Sequence, residues 1–139
     1  MLKRVHHINF LVRDLDKAVS QYQKLFGVTF EPRERLEGRG VVTARFRVGE
    51  VWIILVEPVD FNSVPGKYLE EHGEGFFLIS YEVGDVEKEA EDLVARGGSV
   101  VNATPRRGLE NWKLIDIDPA ETISVPTQLV ECEERRVDS

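Results

Sequence analysis

Cysteine is nearly missing from this chain of 139 residues: Cys132 stands alone. A single thiol excludes an internal disulfide and a thiolate metal cluster. Net positive charge is missing too, since 18 Lys and Arg against 25 Asp and Glu leave −7. An acidic surface repels nucleic acid and anionic membrane, so neither is expected as a partner. No apolar run approaches the roughly 20 residues of a membrane helix, and the N-terminal residues lack the apolar core of a secretion signal. The expectation is a small cytoplasmic domain. Histidine is scarce, with His6, His7 and His72 only.

What the chain does have is an internal repeat. "VRDLDKA" at Val12–Ala18 aligns with "VGDVEKE" at Val83–Glu89, and each follows an alternating apolar run, "HINFLV" or "LISYEV". Further on, "LVE" at Leu55–Glu57 recurs at Leu129–Glu131. Asp14 is a good N-cap for a helix carrying Leu15, Ala18, Val19, Tyr22 and Phe26 on one side, with Gly27 as its stop. Asp85 caps a second helix with Val86, Ala90, Leu93 and Val94 on its buried side and Gly97 at its end. "VTFEPR", "VVTARFRV" and "VWIILVE" follow the first helix as strands. "SVVNA", "WKLIDID" and "TISVPTQLVE" follow the second, with Pro126 marking a bulge or edge.

The pattern predicts an α+β fold of paired βαβββ modules in one domain. The first module spans 1–60, a linker helix 61–74, the second module 75–133 and a frayed tail 134–139. Alternation puts Ile8, Phe10 and Val12 under the first helix, with His7, Asn9 and Leu11 on the other face. By the repeat, Leu78, Ser80 and Glu82 share that second face. Trp52, Ile54 and Val56 and then Pro126, Gln128 and Val130 complete it. This mixed face is where a ligand cleft is expected. The basic stretches "EPRERLEGRG" and "PRRG" read as solvated surface, with a phosphate or carboxylate of an anionic ligand as the alternative partner, and Asp118 before Pro119 reads as turn chemistry.

"HINFLVRDLDKAVSQYQKLFGV", "VPGKYLEEHGEGFFLISYEVGDVEKEAEDL" and "PRRGLENWKLIDIDP" carry a resemblance to the vicinal oxygen chelate superfamily, the glyoxalase, bleomycin-resistance and dioxygenase group. Within it the chain resembles the methylmalonyl-CoA epimerase branch. The resemblance implies curled mixed sheets around a cleft with a divalent metal, and a homodimer. Carried over, the four ligand positions fall at His7, Ile54, Leu78 and Gln128, and only His7 keeps a family ligand. Isoleucine and leucine have no lone pair, and a neutral amide is a poor substitute for a carboxylate. The expectation is a degenerate metal site and no cofactor, with a metal only if this ligand register is wrong. The family's other acid/base glutamate falls at Gly38, beside Glu37. His6 is expected to point away from His7, toward the helix.

The function expected is a glyoxalase-like, metal-independent protein that binds a small molecule. An organic or acyl-CoA-like ligand would lie in the cleft between the modules, against His7, Asn9, Trp52, Ile54, Leu78, Ser80 and Gln128. Trp52 is expected to offer a flat stacking surface. The alternative is an isomerase or lyase of the glyoxalase or methylmalonyl-CoA epimerase type. It is metal-dependent if the register is wrong. Otherwise it is cofactor-free, with His7 as acid or base and Asn9 and Gln128 bonding an oxyanion.

Overall fold

The computed structural model of the protein describes residues 1–132, so the tail expected at 134–139 lies outside the described residues. Contacts divide the chain into two compact units, His6–Ile79 and Met1–Val5 together with the chain from Ser80 onward. Among the described residues no helix is long and apolar enough to cross a membrane.

The first module comprises β1 (Arg4–Leu11), α1 (Leu15–Phe26), β2 (Glu34–Leu36), β3 (Val41–Val48) and β4 (Val51–Pro58). Its strands run in the order β2-β3-β4-β1. The β1–β4 pair is parallel, and the β2–β3 and β3–β4 pairs are antiparallel. After α2 (Val64–His72), the second module repeats the plan with β5 (Gly75–Glu82), α3 (Val86–Ala95), β6 (Arg106–Arg107), β7 (Lys113–Ile117) and β8 (Thr127–Glu131). Its order is β5-β8-β7-β6. The α+β fold of paired βαβββ modules is present as expected.

The repeated "LVE" now has a physical cause. In each module the backbone N–H that follows the "LV" step's partner strand bonds back to it, Val12 N to Val56 O and Val83 N to Val130 O, both at 2.9 Å. The glutamate then reaches the opening of its helix. Leu15 N donates to Glu57 Oε1 at 2.9 Å, and Val86 N donates to Glu131 Oε1 at 3.0 Å. The N-caps are matched as well, since Asp14 accepts from Lys17 N and Asp85 from Glu87 N and Lys88 N. Each helix N-terminus thus has two carboxylates on its unpaired N–H groups, where the helix dipole also favours negative charge. Gly27 closes α1 in the left-handed region at φ 65°, which glycine adopts without a Cβ penalty.

Each helix covers one face of its own strands. Val12, Leu15, Ala18, Val19, Ala44 and Leu55 form one core, with Phe10, Tyr22 and Phe30 against it. Val83, Val86, Ala90, Ile115, Ile117 and Leu129 form the other.

Several sequence expectations need correction. "VTFEPR" is not a strand: Phe30 dips into the core and Glu31 N bonds Arg45 O, while the short β2 begins at Glu34. "SVVNA" contributes one bridge, Val100 to Ile117. Beyond it the Asn102 side chain replaces the ladder, accepting from Asp116 N at 2.8 Å and donating to Leu114 O at 3.1 Å. "TISVPTQLVE" becomes a strand only from Thr127, because Ile123 and Ser124 take positive φ values of 48° and 67°. Phe26 and Val94 were expected under their helices but are 67% and 52% exposed, each lying in the last turn of its helix.

Candidate functional site

The first module's polar face follows from its strand register. His7 pairs with Trp52 and Asn9 with Ile54 across β1 and β4, while Arg45 pairs with Ile54 and Arg47 with Trp52 across β3 and β4. Paired residues share a face, and Ala44 and Leu55 belong to the helix side. His7, Asn9, Arg45, Arg47, Trp52 and Ile54 therefore sit together on the face turned away from α1. Trp52 is already covered by cations: the Arg45 and Arg47 guanidinium carbons lie 4.4 Å and 4.5 Å from its ring. The open stacking surface expected of Trp52 is instead a cation–π stack. Arg45 is only 6% exposed, and Trp52 Nε1 and Asn9 Oδ1 are buried with no hydrogen-bond partner among the described residues.

His6 and His7 are both buried, and their Nδ1 atoms lie 2.9 Å apart with the rings edge to face. This corrects the expectation that the two rings diverge. Strand alternation sends the Cβ atoms to opposite faces, but Nδ1 is one bond from Cγ and side-chain rotation brings these atoms together. A hydrogen bond between them needs a proton on one Nδ1 and a lone pair on the other.

The second module's polar face is built differently. Asp116 and Gln128 are register partners on β7 and β8. Arg106 grips the Asp116 carboxylate with both prongs, Nε to Oδ2 at 2.8 Å and Nη2 to Oδ1 at 3.0 Å. Such a bidentate pair fixes geometry as well as charge. Gln128 Nε2 donates to Asp116 Oδ1 at 3.2 Å. Ser80 and Gln128 are buried, and Ser80 Oγ and Gln128 Oε1 have no hydrogen-bond partner among the described residues. At the end of β5, Glu82 accepts from Arg4 Nε.

The four family ligand positions can be tested against this chemistry. His7 offers an imidazole. Ile54 is 2% exposed and Leu78 is buried as well, and both are hydrocarbon. Gln128 has committed its amide nitrogen to Asp116. Neither Ile54 nor Leu78 has a lone pair to offer a metal.

Of the remaining sequence candidates, Glu37 and Gly38 lie in a 3-10 turn with no buried residue. Trp112 is buried, and Asp118 accepts from Ala120 N as the turn cap expected. Sequence reasoning passed over Arg45, Arg47 and Asp116, and it read Arg106 as solvated surface where the structure pairs it with Asp116. The signal was available, since charged residues at alternate positions of "TARFR" and "LIDID" mark a polar face, not a solvated edge. A pocket of about 570 Å³ in the first unit, lined by Phe10, Val12, Lys17, Tyr22, Leu55 and Glu74, opens on the α1 side.

Doubled βαβββ modules, each with a helix on one face and a polar face opposite, define a glyoxalase-like protein. The chain belongs to the Glyoxalase/Bleomycin resistance protein/Dioxygenase superfamily, whose family model matches residues 6–115. It is similar to a methylmalonyl-CoA epimerase solved with methylmalonyl-CoA and NH4+, at 30% identity, 96% of each chain and a TM-score of 0.91. The epimerase from Mycobacterium tuberculosis is 28% identical, with 96% of this chain and 90% of that one covered and a TM-score of 0.90. Protein YqjC of Bacillus subtilis (strain 168) is 28% identical over 130 residues, 94% of this chain and 93% of that protein.

Proposed function

We propose that the chain is a metal-independent small-molecule-binding protein whose ligand is an organic, acyl-CoA-like compound contacted by residues of the polar faces. The observation that carries this reading is hydrocarbon at two of the four family ligand positions, Ile54 and Leu78, both buried. The solved epimerase carrying methylmalonyl-CoA supports the ligand class. Polar groups in an apolar setting, as at Ser80 and Gln128, are the usual make-up of such a site. A homodimer and a cytoplasmic location belong to the same reading, and light scattering on the eluted protein tests the dimer.

A thermal-shift screen with propionyl-CoA, free coenzyme A, aromatic acids and apolar drugs tests the ligand. A compound that binds only the folded chain must raise the melting temperature. Propionyl-CoA is expected to raise it in the presence of chelator. A response to aromatic acids alone overturns the ligand class.

The second reading, turnover without a cofactor, is favoured by one observation: His6 orients the His7 ring through the Nδ1 contact at 2.9 Å. An oriented base is what proton transfer needs. Deuterium exchange at the acyl α-carbon of propionyl-CoA, lost in His7→Ala, is the result this second reading requires.

A further inference from the structure

The surroundings of Gln128 fix its amide in one orientation. A carboxylate only accepts hydrogen bonds, so the side of the amide facing Asp116 is the nitrogen, at 3.2 Å. Asp116 cannot swing to suit a flipped amide. Arg106 holds both of its oxygens, and its backbone N–H is held by Asn102 Oδ1. The opposite atom, Gln128 Oε1, is thereby presented as a buried acceptor at a residue 3% exposed, with no partner among the described residues. Ser80 lies on the neighbouring strand β5 and, by alternation from Val83 on the helix side, on the same face as Gln128. It is fully buried and its hydroxyl also lacks a partner among the described residues.

From this geometry we infer that Ser80 and Gln128 form an uncharged recognition subsite for a ligand group that both donates and accepts a hydrogen bond. A hydroxyl does so through one oxygen, and an amide through N–H and C=O. The acceptor lone pairs of Gln128 disfavour a carboxylate or other oxyanion at this point. Buried polar atoms left unmatched are costly, so a ligand lacking the group is discriminated against. The inference rests on the reading that the polar faces contact the ligand, and it adds what part of the ligand they select.

The test compares propionyl-CoA with lactoyl-CoA (its 2-hydroxy derivative) by calorimetry on the full chain. Lactoyl-CoA is expected to bind about tenfold tighter, a preference that falls below about threefold in Ser80→Ala and in Gln128→Leu. Equal affinities in the unaltered protein overturn the hydroxyl arm. Absence of binding by either ester counts against the acyl-CoA reading instead. A second arm does not depend on it: labelled protein is titrated with propane-1,2-diol and with lactamide, following the Gln128 side-chain amide resonances. Movement with the diol identifies hydroxyl recognition, and movement with lactamide alone identifies amide recognition. An unmoved Gln128 signal with both probes overturns the subsite. Circular dichroism melting of the two variants confirms that they remain folded.

Discussion

The two modules share a scaffold and differ in what they carry on it. Glu57 and Glu131 cap their helices in the same way, and Asp14 and Asp85 repeat each other as N-caps. On the polar faces the likeness stops. Where β3 and β4 bring Arg45 beside Ile54, β7 and β8 bring Asp116 beside Gln128. The first module finishes its face with an apolar side chain and a tryptophan stacked under two arginines. The second finishes it with a carboxylate held by Arg106 and an amide held by that carboxylate. Caps answer the unpaired N–H groups of a helix N-terminus, which any copy of the module has. The faces have no such requirement, so they are where duplicated modules diverge.

Breaking the second face has the larger effect. Asp116→Ala leaves the Arg106 fork and the Gln128 amide nitrogen without their acceptor and is expected to cost about 3 kcal/mol in urea unfolding. The counterpart trimming of the first face, Ile54→Val, is expected to cost about 1 kcal/mol. Equal costs would mean that the Asp116 network carries no more stability than packing does. The shared scaffold gives the next prediction. Glu57→Ala and Glu131→Ala should each cost about 1 kcal/mol, as lost helix caps do. A difference between them larger than the individual loss would show that the likeness of the caps is only geometric. The smallest effect is expected at Arg47→Ala, about 0.5 kcal/mol for an exposed cation over an indole. It should also change tryptophan emission, by uncovering Trp52.

Much of the scaffold was legible in the chain. N-caps, stopping glycines and apolar alternation are local signals, and they placed α1, α3 and the strands β1, β3, β4, β5 and β7. "VTFEPR" and "SVVNA" misled because apolar, β-branched residues serve irregular backbone equally well. Phe30 anchors the first by packing, and Asn102 replaces strand pairing in the second with its own side chain. The short β2 and β6 are held at sheet edges by their hairpin partners β3 and β7, and strands of three and two residues are too short for alternation to announce them. The burial of Ile54 and Leu78 followed from their place in apolar strand runs. The Arg106–Asp116–Gln128 chain was not legible, since it depends on which charged residues of β6, β7 and β8 meet across the ladder.

Metal-independent ligand binding is the central claim, and one titration tests it most directly. Propionyl-CoA is titrated calorimetrically into the purified full chain, once in excess EDTA and once in excess Co2+. The account predicts the same dissociation constant in both, because Ile54 and Leu78 give a metal nothing to bind. Binding that appears only with Co2+ would contradict it.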